Sequence, residues 1–265
     1  MQRPRTTRRI VLASQAHGLP TPANFRLEEA PLPDLTEGQV LTRTICCSVD
    51  PGTRSRLSSG ASYAPPLKVG ELIDGFSVGE VIESANPRFA PGEIVAVGGG
   101  WAEHSIFQGR GYIQKIPHRR LPLSHWIGVL GVPGMTAWFG LKRVAALKAG
   151  DRVLITSAAG PVGATAAQIA RSLGASRIVG VASGAEKAAW LKSECGVDEV
   201  VDYKSAPDLG AALKAASPDG YDVLFDNVGP SMIDTVIPLL RPAARIVISG
   251  QLADYNATPG EAVGL

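Results

Sequence analysis

The second half of the chain alternates between short apolar stretches and longer stretches with helical spacing, and this limits the possible folds more than any other feature. Five stretches rich in β-branched residues, from RVLITS to ARIVISGQ, are separated by four helix-like stretches that include VGATAAQIARSLG and GAEKAAWLKSECG. Strands that alternate with helices are typical of parallel βαβ units. The pattern predicts an α/β fold with a doubly wound parallel sheet.

The residues from about 10 to 120 have a different character. Short β-branched runs such as RIVLAS, QVLTRTICCSV and FSVGEVIES alternate with turn-forming stretches such as PLPDLTEG and NPRFAPGE. This predicts a β-rich, barrel-like domain. Because the pattern changes near Leu123, we expect two domains, residues 1–124 and 125–265. At the start of the second, two helices interrupted around Gly131 to Gly134 are predicted, the first capped by Ser124.

Composition excludes several classes of protein. A hydrophobic fraction of 45% suits a globular protein, and a net charge of +2 gives no strong attraction to nucleic acid or to a membrane. No apolar run reaches the ~18 residues of a membrane span. The cysteine count, three, is low and odd, which argues against a disulfide framework. This count favours a reducing compartment such as the cytoplasm. Four arginines among the first nine residues are interpreted as a solvated, frayed terminus.

The turn in ITSAAGPVG joins the first predicted strand to the first predicted helix of the parallel sheet. At this place in a doubly wound fold, a dinucleotide pyrophosphate lies against the helix N-terminus, so the turn needs small residues. Gly160, Pro161, Val162 and Gly163 are therefore predicted to bind the pyrophosphate, although Ala158 replaces the first glycine of the G-x-G-x-x-G pattern. A tight turn without a ligand is the alternative interpretation.

The end of the next strand indicates which dinucleotide is bound. NAD-binding folds usually place a carboxylate there, on the ribose 2′-hydroxyl, whereas VASGAEK places Ser183 between an alanine and a glycine. Lys187 could reach a 2′-phosphate as a point charge, and Tyr203 could add a hydroxyl donor. The sequence therefore favours NADP(H), while the alternative for Lys187 is a solvated helix lysine.

Stretches along most of the chain carry a family resemblance. SVDPGTRSRL, GWAEHSI, GVPGMTAWFGL, AAGPVG, SPDGYDVLFDNVG and ISGQLADYN are among the matching segments, which run from about residue 17 to 256. On these segments the chain resembles the zinc-independent medium-chain dehydrogenase/reductases, in the branch of prostaglandin reductases, alkenal reductases and curcumin-reductase-like proteins. The resemblance implies a GroES-like domain followed by a Rossmann domain.

The resemblance also implies an activity and its residues. The implied reaction is the NADPH-dependent reduction of the C=C bond of α,β-unsaturated ketones or aldehydes, small enone and enal substrates. Asn227, Ser249 and Gly250 would line the ribose and nicotinamide, and Met135 and Thr136 would lie near the nicotinamide.

Three further residues concern the substrate. Tyr255 is the predicted donor to the carbonyl oxygen of the substrate, with a pocket wall as its alternative role. Gly52 stands where the family commonly has tyrosine, so it is predicted to alter the size of the substrate pocket. Arg54 matches the family and is predicted to contact substrate or to form a structural ion pair.

No metal site is predicted. Cys46 and Cys47 lie near the position of a ligand cysteine in zinc alcohol dehydrogenases, but KVGELIDG lacks the histidine that would accompany it.

The resemblance leaves rival functions and the assembly open. The sequence stops at Leu265, whereas relatives continue with a sixth Rossmann strand that usually forms the dimer edge. We therefore expect a C-terminally truncated Rossmann domain, with a homodimer disfavoured. The rival functions are an NADPH quinone oxidoreductase and a non-catalytic NADPH-binding protein.

Overall fold

A computed structural model describes residues 3–59, 64–117 and 120–256 of the chain. The chain separates into two compact units, Met1–Ile127 and Gly128–Leu265. Within the described residues, no helix combines the length and the apolar character needed to cross a membrane.

The first unit is β-rich, as predicted. Its strands are β1 (Thr6–Leu12), β2 (Phe25–Pro31), β3 (Val40–Cys47), β4 (Ser77–Ser84), β5 (Ile94–Val97), β6 (His104–Phe107) and β7 (Ile113–Lys115). β1 and β2 form an antiparallel pair, and the other five form one antiparallel sheet in the order β6-β3-β4-β5-β7. A short helix, α1 (Pro51–Arg56), follows β3 and begins with proline at its first position.

The arginine-rich start of the chain is ordered, so the interpretation of a frayed terminus was wrong. Thr6 already belongs to β1, whose seven residues pair with β2. Arg9 forms an ion pair with Glu28 on β2 at 2.8 Å, and Arg8 forms one with Glu103. Arg8 and Arg9 are held in place because β1, the strand that carries them, buries Val11 and Leu12 completely.

The second unit contains the predicted parallel sheet. Its elements are α2 (Val132–Phe139), β8 (Arg152–Ile155), α3 (Pro161–Ser172), β9 (Arg177–Val181), α4 (Ala185–Glu194), β10 (Glu199–Val201), α5 (Leu209–Ala216), β11 (Tyr221–Asp226), α6 (Pro230–Val236) and β12 (Leu240–Ile248). All strand pairs are parallel, in the order β10-β9-β8-β11-β12. The prediction of a doubly wound Rossmann sheet is confirmed. The strand order reverses between β8 and β11, where such sheets bind ligands.

Alternation along the strands divides the core of this unit into two layers. Val153 and Ile155 of β8 pack in one buried cluster with residues of α2, α3 and α4. Leu154, between them, packs in a second cluster with residues of α5 and α6. Successive side chains of a strand point to opposite faces, so a continuous apolar run buries both faces of the sheet.

The helical stretch before β8 differs from its prediction. Ser124 lies inside a 3₁₀ helix, Leu123–Ile127, and is not the cap of a helix. α2 begins at Val132, so Gly134 is inside a helix that was expected to begin after it. A methyl group at Gly134 would lie 1.7 Å from the carbonyl oxygen of Val129, which explains why glycine is needed there for packing and not for a break.

Candidate functional site

A cavity of about 510 Å³ opens at the carboxyl ends of β8, β9, β10 and β11. It lies within the second unit and next to the place where the strand order reverses. Its lining residues come from the ends of these strands and the turns after them, from α4 and α6, and from the turn after β12: Ser157, Ala159, Gly160, Val181, Ala182, Ser183, Lys187, Tyr203, Val228, Met232, Leu252 and Ala253. The volume is in the range of small-molecule and cofactor sites.

The turn after β8 brings its backbone to the cavity. Ser157 adopts a left-handed conformation with φ of 49°, and its carbonyl oxygen accepts a hydrogen bond of 3.0 Å from the Gly160 N–H. A methyl group at Gly163 would lie 2.5 Å from that oxygen and 2.8 Å from the Ala158 Cα. α3 can therefore pack directly on the turn only because residue 163 is glycine.

The alanine at the first glycine position has a structural explanation. Ala158 is fully buried, and a methyl group at Gly180 of β9 would lie only 2.9 Å from its Cβ. The side chain of Ala158 thus occupies the space that glycine at position 180 leaves in the neighbouring strand. The departure from G-x-G-x-x-G is compensated across the sheet, and Ala158 is not among the residues that line the cavity.

The N-terminus of α3 offers a favourable position for an anion. Gly160 is the N-cap and makes no side-chain cap, Pro161 occupies the first turn, and no acidic residue is present in that turn. The first N–H groups of a helix have no acceptor within the helix, and they carry its partial positive charge. Val162 and Gly163 complete this first turn, so all four predicted pyrophosphate residues lie together.

Ser183 and the two residues predicted to contact a 2′-phosphate, Lys187 and Tyr203, lie on the same cavity. Ser183 follows β9, Lys187 belongs to the first turn of α4, and Tyr203 follows β10. Tyr203 is 48% exposed and therefore accessible to a ligand. No carboxylate is among the described residues that line the cavity.

A buried polar cluster joins the ends of β8 and β11. The Thr156 hydroxyl donates to Asp226 at 2.7 Å and accepts from the Asn227 N–H at 2.8 Å. The Asn227 side-chain amide donates to the Thr156 carbonyl at 2.8 Å, so this predicted cofactor residue uses its amide within the protein. Burial raises the pKa of Asp226, and the hydrogen bonds from Thr156 and from the backbone of Gly229 partly offset that effect.

The turn after β12 is attached to this cluster through the backbone. The N–H groups of Ser249 and Gly250 donate to the Asp226 carbonyl at 2.7 and 3.3 Å. Ala253 donates to the Val228 carbonyl at 3.0 Å, and Tyr255 lies half-buried in the same turn. Asp226 and Thr156 were not predicted from the sequence, although each is a polar residue at the end of an apolar strand.

The other predicted residues, Met135, Thr136, Gly52 and Arg54, are not among those that line the cavity. Met135 of α2 is 42% exposed, whereas the Thr136 hydroxyl donates back to the Val132 carbonyl at 2.8 Å. Gly52 and Arg54 belong to α1 of the first unit, where the Arg54 guanidinium donates to the carbonyl of Gly18. No cluster of three or more metal-ligating side chains occurs among the described residues.

Two family profiles match the chain. Residues 8–115 match a family described as the N-terminal domain of oxidoreductase, and residues 161–261 match one described as zinc-binding dehydrogenase. The absence of a zinc ligand set in this chain stays a prediction.

Several characterised proteins are similar over nearly the whole chain. The NADPH-dependent curcumin reductase of Escherichia coli (strain K12) is 42% identical over 257 residues, which cover 97% of this chain and 74% of that protein. Prostaglandin reductase 1 of Rattus norvegicus is 42% identical, covering 93% of this chain and 73% of that protein. The NADP(+)-dependent 2-alkenal reductase of Nicotiana tabacum is 36% identical over 97% of this chain and 76% of its own length.

A solved structure shares the architecture. CurA from Vibrio vulnificus, in complex with NADPH, superposes with a TM-score of 0.88 at 36% identity, covering 97% of this chain and 75% of that one. The similarity extends through both units, and the resemblance found in the sequence is confirmed. The chain belongs to the zinc-independent medium-chain dehydrogenase/reductases, in the branch of curcumin, prostaglandin and 2-alkenal reductases.

Proposed function

We propose that this protein reduces the C=C bond of α,β-unsaturated ketones and aldehydes with NADPH. The observation that carries the proposal is the cavity in which the glycine turn, Ser183, Lys187 and Tyr203 converge without a carboxylate. Relatives that are 36–42% identical are named NADPH-dependent curcumin reductase and 2-alkenal reductase, which supports the same cofactor and bond type here.

The residues on the cavity fit NADPH. The pyrophosphate would lie against the N-terminus of α3, where a side chain at Gly163 would overlap the backbone of the turn. The 2′-phosphate would lie near the ammonium group of Lys187 and the hydroxyl groups of Ser183 and Tyr203. The turn after β12, with Ser249 and Gly250, would be the wall on the nicotinamide side.

NADPH, when bound, would supply a hydride for the β-carbon of the conjugated bond. The electron pair of that bond would shift toward the carbonyl oxygen to give an enolate, whose α-carbon would then take a proton from water. We assign Tyr255 the role of donating a hydrogen bond to this oxygen. A donor that meets charge only as it develops lowers the barrier, and its removal typically costs ~2.7–4 kcal/mol.

The substrate-side residues are assigned different roles. Gly52 lacks a side chain at the start of α1, and we propose that this leaves room for larger substrates than a tyrosine would allow. The Arg54 guanidinium donates to the Gly18 carbonyl, which supports a role in holding the loop that contains Gly18. Direct contact with the substrate is the alternative role. Met135 remains a proposed neighbour of the nicotinamide.

We propose a cytoplasmic location because the cysteine content suits a reducing compartment.

The test is consumption of NADPH by the purified chain with a simple enone, with a quinone, and with neither. An enone reductase consumes NADPH with the enone and yields the saturated ketone. Faster turnover with the quinone favours a quinone oxidoreductase, and cofactor binding without turnover favours a binding protein.

Variants connect the activity to the residues. Tyr255→Phe should lower kcat by roughly 10²–10³-fold and leave the Kd for NADPH unchanged. Tyr203→Phe is the matched control, because it also removes a tyrosine hydroxyl group, but one on the cofactor side of the site. It should weaken NADPH binding and leave kcat at saturating cofactor unchanged. A Tyr255→Phe enzyme with normal kcat would exclude the assigned role.

A further inference from the structure

Asp202, directly after β10, joins two turns of the cofactor site. One oxygen of its carboxylate accepts a hydrogen bond of 3.0 Å from the N–H of Gly184, and the other accepts one of 2.9 Å from the N–H of Lys204. Gly184 follows β9 and Lys204 follows β10, so a single side chain connects the ends of two neighbouring strands.

Each of these turns carries a residue that faces the cavity. Gly184 is the N-cap of α4, has a φ of 94° and makes no side-chain cap, and its carbonyl accepts the Ala188 N–H at 3.1 Å. The position of Gly184 therefore sets where α4 begins and where Lys187, in its first turn, is directed. Tyr203 lies between Asp202 and Lys204, inside the turn that the second hydrogen bond closes.

The Asp202 carboxylate is not part of the lining of the proposed cofactor cavity. Asp202 lines a different, shallow cavity together with Arg177, Glu199 and Ser205, whereas Lys187 and Tyr203 line the larger one. The backbone N–H of Gly184, followed by that of Lys204, holds the pKa of Asp202 below its usual value, so its charge is stabilised by backbone dipoles. Among the described residues, no lysine or arginine forms an ion pair with it.

We propose that Asp202 is a positioning residue that selects NADPH over NADH, by holding Lys187 and Tyr203 where they meet the 2′-phosphate. This inference rests on the proposed function, since it concerns the same cofactor site. The alternative is electrostatic repulsion between the Asp202 carboxylate and the 2′-phosphate, in which case removal of Asp202 would strengthen NADPH binding. The sign of the effect distinguishes positioning from repulsion.

The experiment is a measurement of Kd for NADPH and for NADH, by calorimetry, on the wild-type chain, Asp202→Ala and Asp202→Asn. The alanine variant should bind NADPH roughly tenfold more weakly, the order of effect of losing a hydrogen bond to a charged group, with the Kd for NADH changed less than about twofold. The asparagine variant keeps one carbonyl oxygen as an acceptor, so it should recover part of the loss. Asp234→Asn, which removes a charge from an exposed position on α6, is the control and should change neither Kd.

Two outcomes overturn the inference while leaving the proposed function intact. Tighter NADPH binding by both Asp202 variants would show repulsion, and equal weakening of both cofactors would show a general loss of structure. Thermal melting without ligand verifies that each variant is folded, and the asparagine variant serves if the alanine variant is not. A wild-type chain that binds NADH as well as NADPH overturns the proposed cofactor itself and is recognised before any variant is measured.

Discussion

Gly163→Ala tests whether the turn after β8 works by close approach of its backbone. The added Cβ would lie 2.5 Å from the Ser157 carbonyl oxygen, 2.8 Å from the Ala158 Cα and 3.0 Å from the Ala158 carbonyl oxygen. All three neighbours are backbone atoms, so no side chain can rotate away. An ordinary contact begins near 3.4 Å, and α3 would therefore have to move from the turn by roughly 0.9 Å.

The expected cost follows from two opposing effects. Forcing an extra carbon into a packed site costs about 1–3 kcal/mol. Alanine recovers at most ~1 kcal/mol, because it restricts the unfolded chain and favours helix more than glycine does. We expect a net loss of about 1–2 kcal/mol in the free energy of unfolding. For a chain of this size that lowers Tm by roughly 2–8 °C.

The assay is thermal unfolding with and without NADPH. Gly163→Ala should lower Tm in the absence of ligand and should also lose most of the rise in Tm that NADPH causes, because the displaced turn no longer fits the pyrophosphate. Gly160→Ala is the matched control: its Cβ would have only Ser157 atoms within 4 Å, at 3.2 and 3.4 Å, so Tm should change little. Since Gly160 lines the cavity, that variant should still weaken NADPH binding. An unchanged or higher Tm for Gly163→Ala would refute the reasoning.

Three further variants test the interior of the second unit. Asp226→Asn removes a carboxyl group whose pKa is raised by burial. The folded wild-type chain keeps the proton of this carboxyl group to a higher pH than the unfolded chain does. The free energy of unfolding of wild type, relative to that of the variant, should therefore fall as pH rises from about 4 through the raised pKa. Urea unfolding between pH 4 and 8 measures this, and a difference that rises with pH contradicts it. Gly180→Ala should be destabilising because its Cβ would lie 2.9 Å from that of Ala158, and the added exchange Ala158→Gly should restore roughly 0.5–2 kcal/mol; purely additive effects in the double-mutant cycle would contradict the contact. Tyr221→Phe removes a buried hydrogen bond of 2.7 Å to the Leu213 carbonyl, which keeps a second donor, so the loss in urea unfolding should be only about 0.5–1.5 kcal/mol, and a loss several times larger would contradict this account.

Local patterns were sufficient for the architecture of the second unit. β-branched runs separated by helical spacing predicted five strands and their parallel pairing, and the structure has them in a doubly wound order. Element ends were less well predicted. The strand predicted as EVVDY ends at Val201, because Asp202 turns its carboxylate to the Gly184 N–H and leaves the ladder.

Contacts that the sequence pattern does not reveal limited the prediction elsewhere. The arginines at the start of the chain resembled a solvated terminus, since their partners Glu28 and Glu103 are 19 and 95 residues away. Gly134 resembled a helix break, because the sequence does not show that Val129 lies against it. A glycine that allows a bend in the backbone cannot be told from one that allows a close packing contact by its identity alone, and only the structure distinguishes the two.

The fold, the turn proposed to meet the cofactor and the expectation of NADPH could all be predicted from the sequence alone. These depend on residues that are close along the chain, within one strand–turn–helix unit. The three-dimensional packing was needed to see that Ala158 can replace a glycine, that Thr156 and Asp226 are hydrogen-bonded across 70 residues, and that Asp202 accepts hydrogen bonds from two turns. Those arrangements depend on which strand ends are neighbours in the sheet, and strand order is set by packing of the whole domain.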